Sequence, residues 1–218
     1  MPRILKTPRD ARARRRVSFR KDTAGVSAIE FALILPIMLV LWAGMAEMSH
    51  AIDNWRKVTQ LARTVVDLTS QGDTSDPIAP ATMNDILASS AAVLRPFATT
   101  NTTIVVSALA VDTSTSTTSP RVCSSLASSS AVQARKTGIA TDLTIEAGFG
   151  TNGNRYMLAE VTMPYSPMLG ASLGKIISGL SGTIKIASSF AWPVRNGVVH
   201  NSVNSTPELT MPGGSPCP

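Results

Sequence analysis

Residues 26–46 read VSAIEFALILPIMLVLWAGMA, a stretch whose only ionisable side chain is Glu30 and whose positions from Phe31 onward are all apolar or glycine. At about 1.5 Å per residue, a helix of this length covers roughly 30 Å, the thickness of the bilayer hydrocarbon. The stretch therefore reads as a transmembrane helix. Helical periodicity continues beyond it: Ala51, Trp55, Val58, Ala62 and Val65 recur at spacings of 4, 3, 4 and 3 and form an apolar seam. Asp53/Lys57 and Arg63/Asp67 read as i, i+4 ion pairs away from that seam. A continuous helix from residue 26 to about residue 70 would be roughly 65 Å long and would project a stem beyond the bilayer. The alternative is a membrane helix followed by a separate amphipathic helix packed on the domain. Gly72-Asp73 and Asp76-Pro77 end the helix in either case.

The pattern then changes character. Thr82-Met83-Asn84-Asp85 matches a capping box, and Met83, Ile86, Leu87 and Leu94 give a short amphipathic helix stopped at Pro96. Three β-rich runs follow, 103–111, 156–165 and 183–194. In the last, Ile184, Ile186, Ser188, Phe190 and Trp192 share one face and Lys185 lies on the other, as a half-exposed antiparallel strand requires. The Ser/Thr tract at 113–120 predicts a mobile loop. Gly170, Gly174, Gly179 and Gly182 punctuate a connection around Ile176 and Ile177, and the Ser/Pro/Gly-rich tail from 201 predicts mostly irregular chain. The fold class is α+β: a long N-terminal transmembrane helix, then a small domain with an antiparallel sheet and one or two short helices. The expected divisions are a basic leader 1–25, a transmembrane helix 26–46, a helical stem 47–71, an α+β domain 72–200 and a tail 201–218.

Charge orients this arrangement. The 218 residues carry 20 Lys+Arg against 14 Asp+Glu, but residues 1–25 hold nine of the bases and two of the acids, a net of +7, which leaves the rest at −1. A body that is slightly acidic, with aromatic residues at 5%, argues against nucleic-acid binding. Because cytoplasmic flanks are enriched in Lys and Arg, the leader belongs in the cytoplasm and everything beyond about residue 47 across the membrane. Two bland rivals remain. A secretory signal cut after Gly44-Met45-Ala46 would need a shorter apolar stretch without a carboxylate. A twin-arginine signal at Arg15-Arg16-Val17-Ser18-Phe19 rests on a pair that chance supplies in so basic a segment.

Glu30 is the informative position. An ionised carboxylate in hydrocarbon costs around 3 kcal/mol on insertion scales, so it needs a partner. Gly25 lies five residues earlier, between the charged segment and the apolar one. Cleavage after Gly25 would give Val26 a free α-amino group, largely protonated at neutral pH. Among parallel helices, the Glu30 carboxylate of one subunit could meet the Val26 ammonium of its neighbour, neutralising both and fixing the axial register.

A basic leader, Gly25, four mostly apolar residues, then Glu30 and the aromatic Phe31 opening an apolar helix resemble the class III signal of type IV pilins and pseudopilins. With Pro36, the segment GVSAIEFALILP is most similar to the TadE/TadG-like proteins of the tight-adherence (Flp) pilus system, and AEVTMPYSP and SSFAWPVRN are similar to TadE-like C-terminal regions. The leader is longer than many Flp pilin leaders, and Phe31 stands where those pilins commonly have Tyr. The resemblance implies that a prepilin peptidase of the inner membrane cuts between Gly25 and Val26. It implies that Glu30 and Phe31 serve helix assembly and charge pairing, and that the mature protein is a minor pilin-like component. Its partners would be the lipid bilayer, other pilin-like subunits and the assembly platform, with the C-terminal domain in the periplasm. The rival of another class is a membrane-anchored periplasmic binding or adhesion module unrelated to pili.

Cys123 and Cys217 both fall beyond the membrane segment. In an oxidising compartment they could close a loop of about 95 residues, worth roughly 4–5 kcal/mol in the chain-entropy model. Two free thiols, or pairing with another chain, are the alternatives. No motif for catalysis, cofactor or metal emerges. Residues 148–153 fit GxGxxG superficially but precede no helix pattern and read as a turn, while His50 and His200 are far apart in the chain. The expectation is a protein that is not an enzyme and holds no cofactor.

Overall fold

Helix α1 is unbroken from Ala24–Ser70 in the computed structural model, which describes residues 24–97, 99, 101–167, 183–199 and 207–218. The leader before residue 24, the connection carrying Gly170, Gly174, Gly179 and Gly182, His200 and residues 201–206 lie outside the described residues. The chain divides into two units, Met1–Met45 and Ala46–Pro218.

In the first unit, α1 presents its large apolar side chains to the outside, Ile29, Phe31, Leu33, Ile37, Val40 and Trp42 among them. Pro36 sits inside the helix. It removes one backbone donor, which membrane helices tolerate.

In the second unit, the remainder of α1 packs on a five-stranded antiparallel sheet of order β3-β2-β1-β4-β5, built from β1 (Thr103–Ala110), β2 (Arg121–Ala127), β3 (Gly138–Ile139), β4 (Arg155–Tyr165) and β5 (Ile184–Pro193). β6 (Val198–Val199) and β7 (Pro207–Glu208) form a separate pair. Strand alternation sorts the core. Ile104, Val106 and Ala108 of β1 and Met157, Ala159, Val161 and Met163 of β4 face α1, where they meet Val58, Leu61, Ala62, Val65 and Val66. The alternate residues of β1 and β4 lie on the opposite face, and a register shift in the β1–β2 pairing, between Ala108 and Leu109, brings Val122 of β2 to that face as well. Leu109, Val111, Val122, Tyr156 and Leu158 form a smaller cluster of their own, with Phe149 packed against Tyr156 at 4.6 Å between ring centroids. The partners on β2 pass from Ser124 directly to Val122, so Cys123 is the extra, bulged residue.

Several expectations are corrected. Val58, Ala62 and Val65 of the expected seam are buried, together with Asn54, Leu61 and Val66, whereas Trp55 of that seam is 54% exposed. The expected Arg63/Asp67 pair is not formed: Asp67 pairs with Arg195 at 2.9 Å, and the Arg63 guanidinium lies 4.7 Å from the Phe190 ring centroid. Among the described residues, no ion pair joins Asp53 to Lys57. Helix α2 (Pro80–Ala88) begins two residues before the expected capping box, because Pro80 occupies the first turn, where a missing N–H costs nothing. Its cap residue, Ala79, has no side-chain cap; the Asp73 carboxylate accepts the Ala79 N–H instead, at 2.8 Å. A second short helix, α3 (Ser90–Val93), follows. The 113–120 tract is a series of turns: Asp112 accepts the Ser114 N–H and the Ser114 and Thr115 hydroxyls, and Asn152 accepts the Thr113 N–H. Short polar side chains offer the backbone such local partners, which gives the tract definite structure despite its composition.

The C-terminal residues also pack more closely than their composition suggests. Leu209 and Met211 join the main core, the Thr210 carbonyl accepts the Ile78 N–H at 2.9 Å, and Ser124 Oγ accepts the Met211 N–H at 3.0 Å.

Candidate functional site

Gly25, Val26, Glu30 and Phe31 fall in the first two turns of α1. All four are exposed, Val26 at 52% and Phe31 at 64%, and a Cβ built on Gly25 would meet nothing within 4 Å. The Gly25-Val26 peptide bond is thus uncrowded. Because Glu30 follows Val26 by four residues, both lie on one side of the helix, and Phe31 stands beside them. A carboxylate among otherwise apolar, outward-facing side chains suits a lateral partner, since the apolar segment 26–46 holds no basic residue.

Gly25–Ser70 is long and apolar enough to cross a membrane, and the apolar window that qualifies it carries its side chains outward rather than into a protein core. A soluble core helix would bury such residues. The chain therefore carries one N-terminal candidate membrane span among its described residues.

Residues 25–67 match the family model described as TadE-like protein. The opening of α1 is TadE-like. The match starts at Gly25 and ends within the part of α1 that packs on the sheet, so it covers the membrane segment and most of the stem but not the strands. It bears out the resemblance read from Gly25, Glu30, Phe31 and Pro36, and it points to Tad pilus assembly. Neither the curated proteins nor the solved structures compared with the chain gave a match.

Past the TadE-like opening, the Ala46–Pro218 unit ties the start of its helix to the sheet. Glu47 Oε1 accepts the Tyr165 hydroxyl at 2.6 Å, at the end of β4. Burial, reinforced by this bond, pushes the Tyr165 phenol up to about 12. This contact had no signal in the sequence, since the two residues are 118 positions apart.

Cys123 and Cys217 form a disulfide with 4.8 Å between their Cα atoms. The bulge places Cys123 where the C-terminal segment reaches it. Glu208, itself only 3% exposed, accepts the Cys217 N–H at 2.5 Å and lies 3.5 Å from Arg155. The two sulfurs and the Glu208 carboxylate come within 4.8 Å of one another, a grouping of the kind that holds metal ions. With both sulfurs committed to each other, the thiolates that a soft metal requires are not available.

A cavity of about 340 Å³ opens between α2, α3 and the ends of β1 and β2, lined by Asn84, Leu87, Ser90, Thr102, Ile104 and Ser128. It holds hydroxyl and amide groups and no charge. Thr102 Oγ1 is buried there and has no hydrogen-bond partner among the described residues.

Proposed function

We propose that this chain is a minor pilin-like subunit, a pseudopilin, of the tight-adherence (Flp) pilus assembly machine. It is a single-pass protein of the inner membrane, with the basic 1–25 leader in the cytoplasm and the α+β domain in the periplasm. A prepilin peptidase removes the leader between Gly25 and Val26. Glu30 then pairs with the Val26 ammonium of an adjacent pilin-like subunit, and Phe31 packs against that subunit's helix. Its work is assembly rather than catalysis, and it requires no cofactor.

The observation that carries this reading is the coincidence, in the first two turns of a TadE-like helix, of an uncrowded Gly25-Val26 bond with the single carboxylate of the apolar segment. Removing the leader also removes a net +7, leaving Glu30 as the charge whose burial in the membrane matters most. N-terminal sequencing of the membrane-bound protein tests it: a start at Val26 is expected, a start after Ala46 would identify an exported soluble domain, and an intact leader would leave a plain anchor.

The 340 Å³ cavity favours a second reading, an anchored periplasmic binding module unrelated to pili. That reading expects the leader to persist and Glu30 to be dispensable.

A further inference from the structure

We infer that residues 207–218 form a redox-gated strap: joined through Cys123–Cys217 they close the core of the Ala46–Pro218 unit, and reduced they leave their slot.

The strap completes the core from outside the main sheet. Leu209 and Met211 are buried against α1 and the sheet, and their neighbours bond to Ile78 and Ser124. The slot is cut closely. A Cβ at Gly214 would come within 2.4 Å of Ser124 Cβ, and one at Gly72 within 2.7 Å of a Leu209 methyl. Yet the strap's regular pairing is only the two-residue β7, and that pairing is with β6 rather than with the five-stranded sheet. Two apolar side chains and a few hydrogen bonds must hold a dozen residues that lose their backbone freedom on docking. Such a segment sits near balance, and a covalent tie at its far end decides whether it stays. The Glu208 carboxylate, held by Arg155 and by the Cys217 N–H, steers Cys217 toward Cys123. Cys123 is 5% exposed, whereas Cys217 is half-buried, so an incoming thiolate reaches the bond from the Cys217 side.

Closure is a two-electron exchange. The Cys123 and Cys217 thiols lose two protons and two electrons as their S–S bond forms. The electrons reduce the disulfide of an external thiol–disulfide oxidant, which leaves as a dithiol carrying the protons. Opening is the reverse, driven by a dithiol reductant. When the strap leaves, Arg155, nearly buried, loses its carboxylate partner and the groove under Leu209 and Met211 opens. The domain is therefore complete only after its last residues have reached an oxidising environment. The inference stands whether or not the pilus reading does.

Hydrogen exchange on the full-length chain in detergent tests it, with and without a phosphine reductant. Reduction is expected to speed exchange across residues 207–218 by more than about tenfold, while β1 and β4 amides change by less than about twofold. A double Cys123→Ala, Cys217→Ala variant should show the reduced pattern without reductant, and oxidised glutathione should restore protection to the reduced wild type. Unchanged exchange in 207–218 overturns the proposal. So does loss of protection across β1 and β4 in step with the strap, in the reduced protein or the double variant, because the bond would then stabilise the domain as a whole. Failure of glutathione to restore the closed pattern also overturns it.

Discussion

Gly72 occupies the position just past α1 where the chain turns back, at φ +62°, with its N–H donating to the Thr69 carbonyl. A left-handed residue at a helix C-terminus is a common use of glycine, and here the Leu209 methyl beneath it leaves no room for a Cβ. Gly72→Ala combines backbone strain with a displaced core side chain and should cost about 1–3 kcal/mol, read as a lower melting temperature of the purified protein. Glu30→Ala is a different kind of substitution. Removing a carboxylate from an apolar segment makes insertion easier, so membrane levels should be normal while incorporation into the pilus machine and piliation fall; normal piliation in that mutant would end the charge-pairing proposal. Single residues were legible from the sequence where their chemistry was unusual for its surroundings. Glu30 stood out because it was the only ionisable group in 21 positions. Glu47 and Tyr165 did not, because a carboxylate and a phenol at two distant element ends look ordinary until the fold joins them.

At the level of elements, the length of α1 and its stop near residue 70 followed from hydrophobic runs and glycine placement, and the direction it faces followed in part: Val58, Ala62 and Val65 of the expected seam are buried, while Trp55 is not. Two apolar continuations of that seam fit a helical period, one through Ala51 and Trp55 and one through Leu61 and Val66. The sheet selects the second, which sets Leu61 and Val66 beside Val58, Ala62 and Val65 against β1 and β4, and leaves the bulky Trp55 outside. The contrast is measurable. Leu61→Ala should destabilise the domain by about 2–4 kcal/mol, whereas Trp55→Ala should shift stability by less than about 1 kcal/mol, as denaturant titrations of the two variants would show. Strands β1, β4 and β5 were readable from β-rich runs. β2 was not, since RVCSSLA alternates too weakly to register, and Ser124 and Ser125 gain their roles from partners in other elements.

The whole molecule has a pH window set by groups from several loops. Asp73 is held below the usual carboxylate range by the Ala79 N–H, Asp112 by the Ser114 hydroxyl, and Asp142 by the Arg135 guanidinium. Lowered values in the folded state mean that these groups contribute fully above pH 3.8, and that the contribution is lost as pH falls through the lowered values. Tyr156 and Tyr165 are both pushed up to about 12, mainly by burial. Raised values mean that their contribution is complete below pH 10.0 and is lost as pH rises through about 12. Melting temperature should therefore be flat between these limits and fall outside them, and Tyr165→Phe should roughly halve the alkaline slope by leaving Tyr156 as the single raised phenol. Division into a membrane segment and an α+β domain was visible in the sequence because it is written in composition. The closing of that domain by its own last residues was hidden, because Ser, Pro and Gly around Leu209 and Met211 diluted the apolar signal that carries it.

The bulge at Cys123 sets a parity rule for β2. Side chains on a strand alternate, and one extra residue inverts that alternation for everything beyond it. Val122 therefore looks to the cluster around Tyr156, whereas Ser124 looks to the strap, although the two are only one residue apart from Cys123. Deleting Cys123 would remove the bulge along with the sulfur: Val122 and Ser124 already lie on opposite faces, so the strand would regain a plain two-residue rhythm with both side chains facing as they do now. An insertion elsewhere in β2 has no such bulge to absorb it and would turn the residues on one side of it to the wrong face.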